Sequence, residues 1–125
     1  MIARALVRLE QDSLVAKKIV ERSRTYNGAL ATANAATGVI AINRHRLTAR
    51  HKRDPDLVAS IIVHENHHLR QGPVKNWYEN RIRIEEEAYR IQVNYLETIG
   101  NHKLARHVRT VGRANIMDDA RIIYV

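Results

Sequence analysis

Apolar residues recur at helical spacing along most of this chain, and residues 3–10 and 14–22 are the first segments to show it. These two segments predict one bent helix or two short ones. A longer helix is predicted over residues 81–99, and a last one begins at residue 101 and ends at Gly112. The tail after Gly112 finishes in the apolar run "RIIYV", which is typical of a strand.

A helix with clear ends is predicted in the middle of the sequence. Asp54 can accept a hydrogen bond from the first turn, Pro55 suits the first helical position, and Asp56 complements the helix dipole. The helix is predicted to continue to about Gln71, because Gly72 and the proline that follows it stop a helix.

Two short stretches before this helix have the alternation of strands. In "ALATANA" and "GVIAIN", small or apolar residues alternate with polar ones, and Thr37 and Gly38 supply turn chemistry between the two stretches. A hairpin or two short strands is predicted here. Residues 44–53 form a basic connector and residues 74–80 a loop. Together these elements predict a mainly helical α+β fold with a small sheet in the N-terminal half.

Composition limits the class of protein and the kind of metal site. A length of 125 residues predicts one domain, with a core in residues 3–99 and a C-terminal helix and tail in residues 100–125. The absence of cysteine excludes disulfides and cysteine-bound zinc, so a transition metal would need histidine and carboxylate ligands. Apolar runs are too short to span a membrane, and the N-terminus lacks the apolar core of a signal peptide, so we expect a cytoplasmic protein.

The formal net charge is +8, which favours acidic surfaces or nucleic acid as partners. On the last predicted helix, a basic stripe faces away from the apolar positions, and residues 44–53 could add to it if they lie close by. The stripe contains His102, Arg106, Arg109 and Arg113. An ordinary solvated surface explains the same pattern, so the charge alone leaves both interpretations open.

The stretch "SIIVHENHHLRQG" places polar residues where an apolar helix face would continue. His64 and His68 are four residues apart, so on a helix they project side by side and can hold one ion. Glu65 lies about 100° around the axis, where it can reach a water beside that ion. This H-E-x-x-H pattern suits zinc-dependent hydrolysis with Glu65 as the general base. In a histidine-rich chain a chance match is the alternative.

A catalytic zinc ion usually has a third protein ligand, and "RIEEEAYRIQVNYL" offers three glutamates for it. Glu85 falls in the middle of the apolar face of its predicted helix, Glu86 falls at the edge, and Glu87 points to solvent. A carboxylate on a buried face needs a partner, which is either a metal ion or one of the many arginines. His102 and His107 are rival ligands.

These features together make the chain similar to compact gluzincin-type zinc metallopeptidases, the minigluzincins. The matching pieces are an N-terminal helix, "GVIAIN" as an upper edge strand, "HENHH" on the active-site helix and "EEEA" on a glutamate helix, over roughly residues 3–99. In such families the third ligand commonly precedes a small alanine by three residues, which again selects Glu85. An Asp or Asn often follows that alanine, whereas this chain has Tyr89.

The resemblance also implies how a substrate is bound. The edge strand beside the cleft of such enzymes pairs with an extended peptide through main-chain hydrogen bonds. The corresponding residues here are Val39, Ile40, Ala41, Ile42 and Asn43. The resemblance to zymogenic minigluzincins implies that "RIIYV" fills the cleft and keeps the enzyme latent, but we favour plain packing of this segment.

The sequence therefore predicts a zinc metalloendopeptidase, in which His64, His68 and Glu85 hold Zn²⁺ and a protein or peptide is hydrolysed. The alternative is a basic nucleic-acid-binding module whose histidines are structural or bind metal without catalysis. Several side chains are alternatives for stabilising an oxyanion: Tyr78, Tyr89, Tyr95, His102 and His107.

Overall fold

A three-stranded sheet and four helices make up the residues that the computed structural model describes, which are 16–72 and 77–124. The strands are β1 (Lys18–Arg22), β2 (Ala31–Asn34) and β3 (Val39–Asn43), and a 3-10 turn at Tyr26–Gly28 separates the first two. The helices are α1 (Ala49–Arg53), α2 (Pro55–Gln71), α3 (Trp77–Thr98) and α4 (His102–Tyr124). The predicted mainly helical α+β fold is confirmed.

The predicted hairpin is confirmed as β2 and β3, which pair antiparallel with Ala33 opposite Ile40. Its turn is closed by the side chain of Asn34, whose Oδ1 accepts a hydrogen bond of 3.0 Å from the Ala36 N–H. Gly38 completes the turn with φ of 72°, a conformation that glycine adopts without a steric penalty.

The prediction that Val39–Asn43 is an edge strand is wrong, because β3 lies between β1 and β2 in the sheet. Residues 18–22, which were included in a predicted helix, form β1 and pair parallel to β3 with Ile19 opposite Ile40. Tertiary pairing of the β-branched Ile19 and Val20 overrides the helical spacing of this short segment. Residues 3–15 of the predicted helices lie outside the described part of the chain.

The ends of α2 are those that its sequence predicts. Asp54 Oδ1 accepts a hydrogen bond of 3.3 Å from the Leu57 N–H, and Pro55 occupies the first helical position. Gly72 ends the helix with φ of 69°, and its N–H donates to the His68 carbonyl at 3.2 Å. The length and rotational phase of α2 are therefore set by local chemistry.

Two predicted helix ends differ from the structure. α3 already begins at Trp77, within the predicted loop of residues 74–80, and it ends before Gly100, whose φ is 81°. α4 continues through Gly112 to Tyr124, so both the predicted stop at Gly112 and the predicted strand in the tail are wrong. A Cβ on Gly112 would lie 2.8 Å from Cγ of Tyr89, so glycine permits close approach of α3 and α4 rather than ending a helix.

The elements pack in sequence order, with the sheet against α2, α2 against α3, and α3 against α4. One hydrophobic core runs through all of them, so α4 is part of it and not an appendage. Its most deeply buried side chains are Ile40, Ala59, Ile62, Leu96 and Ala105. Within this core, the interface between α2 and α3 contains the predicted metal ligands.

No helix in the described part of the chain has the length and apolar character needed to cross a membrane.

Candidate metal centre

The predicted ligands converge between α2 and α3. One helical turn separates His64 from His68, and their Nε2 atoms are 3.2 Å apart. The carboxylate of Glu85 on α3 faces both rings, with Oε1 at 2.7 Å from Nε2 of His68 and Oε2 at 3.5 Å from Nε2 of His64. The two helices thus bring two imidazoles and one carboxylate to a single point.

A chain of hydrogen bonds determines which nitrogen of His64 carries the proton. The Ser60 hydroxyl donates to the Leu57 carbonyl at 2.7 Å, so its oxygen is free to accept from Gln92 Nε2 at 3.0 Å. Gln92 Oε1 therefore faces Nδ1 of His64, 2.9 Å away, and can only accept. His64 consequently holds its proton on Nδ1 and directs the lone pair of Nε2 towards Glu85.

A second series of hydrogen bonds, through Gln71, orients His68 in the same way. Gln71 Nε2 donates to the carbonyl of Ile84 at 3.2 Å, which is an acceptor only. Gln71 Oε1 then faces Nδ1 of His68 at 2.8 Å and accepts its proton. Both imidazoles therefore present Nε2 to the same point, and in metal sites a histidine ligand is usually held through its other nitrogen in this way.

The donor set suits a small divalent cation. Two imidazole lone pairs and a carboxylate repel one another unless a proton or a cation lies among them. Zinc–nitrogen and zinc–oxygen distances of about 2.0–2.1 Å imply separations of about 3.3–3.4 Å between ligands of a tetrahedral site. The separations of 3.2 Å between the two rings and 3.5 Å between His64 and Glu85 are close to that length, whereas Glu85 Oε1 and His68 Nε2 lie 2.7 Å apart, the distance of a hydrogen bond.

The pKa values of Glu85 and His68 are shifted in the opposite directions that are typical of an ion pair. Burial alone would raise the pKa of Glu85, but its contacts with the His64 and His68 rings, and the positive charge that those rings can carry, outweigh burial and hold that pKa well below its ordinary value. Burial alone would lower the pKa of His68, but the hydrogen bond and negative charge of Glu85 raise it instead. The pair therefore exists as carboxylate and imidazolium when a proton fills the site, and a cation must displace that proton.

Glu65, the neighbour of His64 on α2, belongs to the same cluster. Ligand atoms of His64, Glu65 and His68 all lie within 4.8 Å of one another, so these three could hold a metal ion by themselves. The carboxylate of Glu85 contacts both rings, at 2.7 Å from His68 and 3.5 Å from His64, and we therefore favour it as the carboxylate ligand. Burial raises the pKa of Glu65 to about 7, despite the opposing charges of both histidines.

Tyr89 forms one wall of the cluster. Its ring meets the ring of His64 edge-on, with 4.5 Å between the ring centroids. Its hydroxyl accepts a hydrogen bond of 2.9 Å from Asn115 Nδ2 on α4. The hydrogen-bond partner of Nδ1 of His64 is Gln92 and not Tyr89.

The other polar residues singled out in the sequence lie outside this cluster. Glu86 is exposed, as expected from its edge position, but Glu87 does not point freely to solvent, because its Oε1 is 2.6 Å from Nε2 of His67. His102 is exposed and pairs with Glu97, and His107 is exposed on α4. Within the described residues the partners of Glu85 are histidines, and no arginine pairs with it.

Three residues that orient the ligands were not identified from the sequence: Ser60, Gln71 and Gln92. Gln92 carried a usable signal, because it lies two helical turns after Glu85 on the predicted apolar face, and a buried amide there needs a partner. Gln71 lies three residues after His68, at the end of the helix, where spacing alone gives no reason to single it out.

The strand predicted to bind substrate does not have a free edge. Both sides of Val39–Asn43 are paired within the sheet, so strand addition on these residues is ruled out, and the prediction is wrong. The outer strands among the described residues are β1 and β2.

Comparisons with protein-family models, with curated proteins and with solved structures found no match.

Proposed function

We propose that this protein is a zinc-dependent peptidase of the gluzincin type, in which His64, His68 and Glu85 hold Zn²⁺. The observation that carries the proposal is the orientation of the two imidazoles. Each has its Nδ1 proton held by a glutamine, so both present a lone pair to the carboxylate of Glu85. This orientation leaves the Nε2 lone pairs of both rings available to a cation beside Glu85.

Bound zinc would supply Lewis acidity, which polarises a peptide carbonyl and lowers the pKa of water. Glu65 then accepts a proton from the attacking water and passes it to the departing amine. Burial raises the pKa of Glu65 to about 7 in the metal-free protein, and a neighbouring cation favours the ionised carboxylate that accepts this proton. The remaining ligand-facing residues, Gln71 and Gln92, hold the rings in place.

The first test is the zinc content of the purified protein and of two variants. Glu85→Ala should lose most of the bound zinc, because it removes one of three ligands. Glu86→Ala is the matched control, since this neighbour is exposed on the same helix and makes no contact with the cluster. Equal zinc content in all three proteins would remove Glu85 from the site and leave Glu65 as the remaining carboxylate candidate.

The second test separates metal binding from hydrolysis. Glu65→Gln should retain zinc and lose about 10²–10⁴-fold of the cleavage rate on a library of quenched fluorescent peptides, because the general base is removed. Loss of zinc in Glu65→Gln would make Glu65 a ligand rather than a base. Undiminished cleavage by this variant would contradict the proposed role of the residue.

The second candidate function, a basic nucleic-acid-binding module, is favoured by one observation. α1 buries none of its residues, and four of its five side chains are basic. The hydrogen bond of 2.9 Å from Asn101 Nδ2 to Asp56 Oδ2 joins the starts of α4 and α2, so the basic first turns of α4 lie near α1. Retention of RNA or DNA by the metal-free protein, lost steeply as salt rises, would support this function.

A further inference from the structure

A groove lies between α3 and α4, and Tyr89, whose ring contacts His64, is one of its lining residues. It has a volume of about 480 Å³, within the usual range for small-molecule sites. Its apolar lining comes from Tyr89, Val93, Ile116 and Met117. Gly112 also lines the groove, and its missing side chain lets α4 approach the ring of Tyr89.

Three arginines line the same groove from both helices, Arg90 on α3 and Arg109 and Arg113 on α4. Glu86 is the acidic residue in the lining. Arg109 has a distant partner in Glu97, with 3.8 Å between Nη2 and Oε1. Throughout residues 16–72 and 77–124, neither Arg90 nor Arg113 forms an ion pair or side-chain hydrogen bond.

We infer that this groove binds a small anionic amphiphile, a molecule that joins an apolar chain to a carboxylate. The apolar lining would take the chain, and the guanidinium groups would take the anion, for which their planar set of donors is well suited. A neutral or cationic molecule of the same shape would lack that second interaction. The inference does not depend on the proposed peptidase activity, since none of His64, His68 and Glu85 lines the groove.

The position of Tyr89 makes occupancy of the groove detectable at the histidine cluster. Tyr89 lines the groove, and its ring also makes a T-shaped contact with the ring of His64, with centroids 4.5 Å apart. A ligand that displaces or orders this ring changes the magnetic environment of His64. The imidazole signals of His64 in a nuclear magnetic resonance spectrum therefore report binding at a site that His64 does not touch.

The test uses decanoate, at concentrations below micelle formation, with decan-1-ol and decylamine as matched probes of the same chain length. Isothermal titration should give one decanoate per protein, at least tenfold tighter binding of decanoate than of the alcohol, and no binding of the amine. The ring signals of His64 should shift with decanoate and saturate at the same stoichiometry.

Variants distinguish this groove from general attraction to a basic protein. Arg90→Glu and Arg113→Glu should each weaken decanoate binding at least tenfold, whereas Arg106→Glu, an exposed change on α4 outside the groove, should leave it unchanged. Failure of decanoate to bind, equal binding of the alcohol, or an equal loss in Arg106→Glu would each overturn the inference.

Discussion

α3 packs against α2 on one side and against α4 on the other, and the polar side chains on these two sides differ in whether they have protein partners. On the side towards α2, Glu85 and Gln92 are enclosed, and each is bonded to a side chain of α2. On the side towards α4, Arg90 and Arg113 stand at the rim of an open groove and have no protein partner among the described residues. α3 therefore carries polar groups with protein partners on the side towards α2, whereas Arg90 on its other side, like Arg113 of α4, has none among the described residues.

Desolvation explains the difference. A buried carboxylate or amide that lacks a partner costs about 1–3 kcal/mol or more, so the fold provides partners on the enclosed side. Arginines at the rim of a groove remain hydrated and cost the fold nothing, so they are free to meet a ligand. The side of α3 towards α2 therefore holds its polar side chains in fixed orientations, and the groove towards α4 leaves its arginines available to a ligand.

The largest effect on the enclosed side is expected from pH in the metal-free protein. The pKa of Glu65 is raised from 4.5 to about 7 and that of His68 is raised above 6.5, so both contribute stability at low pH that is lost as pH rises through their folded pKa values. The shift of Glu65 corresponds to on the order of 3 kcal/mol. The pKa of Glu85 is lowered, so its contribution is lost instead as pH falls below 4.5.

The free energy of unfolding of the metal-free protein should therefore be highest near pH 5 and fall towards pH 8. Zinc should reverse this trend, because binding expels the shared proton and strengthens as pH rises. Urea unfolding with a chelator and with excess zinc, at unit steps of pH, measures both curves. Parallel curves would show that zinc does not bind at the cluster.

Removing one orienting amide should weaken zinc binding without removing a ligand. Gln92→Leu should lower zinc affinity about 10–100-fold, because His64 loses the acceptor that sets its protonation and ring orientation. Asn94→Leu is the matched control, an exposed change on the groove side of α3. Competition with a zinc-binding dye gives both affinities, and equal values would mean that His64 needs no help from Gln92.

Adding one methyl group where the two sides meet should destabilise the fold. Gly112→Ala places a Cβ 2.8 Å from Cγ of Tyr89, and the ring has little room to move because His64 packs against it. We expect a loss of about 1–3 kcal/mol in the free energy of unfolding. Val111→Ala, an exposed neighbour, should change it by less than about 0.5 kcal/mol. A more stable Gly112→Ala protein would show that α4 can shift without cost.

The smallest effect is expected from the bond between Asn115 and the Tyr89 hydroxyl. Asn115→Ala removes a hydrogen bond at an exposed position, so the free energy of unfolding should fall by about 0.5 kcal/mol or less. Thermal unfolding detects the change, with Thr110→Ala on the same helix as the comparison. A loss much larger than this would mean that the hydroxyl, rather than packing on Gly112, holds Tyr89 against His64.

The candidate ligands were largely predictable, and the groups that orient them were not. His64 and His68 share a face because of the helical repeat, and the same repeat places Glu85 towards the core. Gln71, at the end of α2, donates a hydrogen bond to the carbonyl of Ile84, which is 13 residues away on α3. This contact depends on how the two helices pack together. No periodicity within one element contains that information.

The strands show the same division. The alternation in "GVIAIN" was sufficient to predict a strand, but whether it lay at an edge depended on a partner 21 residues earlier, at Ile19. Likewise, a glycine at position 112 is a residue type that often ends a helix. Only its contact with Tyr89 showed that it allows α3 and α4 to pack closely.

By itself, the sequence determined the limits of α2, the spacing of its two histidines and the rotational phase of Glu85, because each depends on backbone geometry and capping within a few residues. Only the tertiary structure decided the central place of β3, the protonated nitrogen of each imidazole and the groove beside Tyr89. Those features depend on contacts between distant segments, whose packing follows from the burial of the whole core and not from any local pattern.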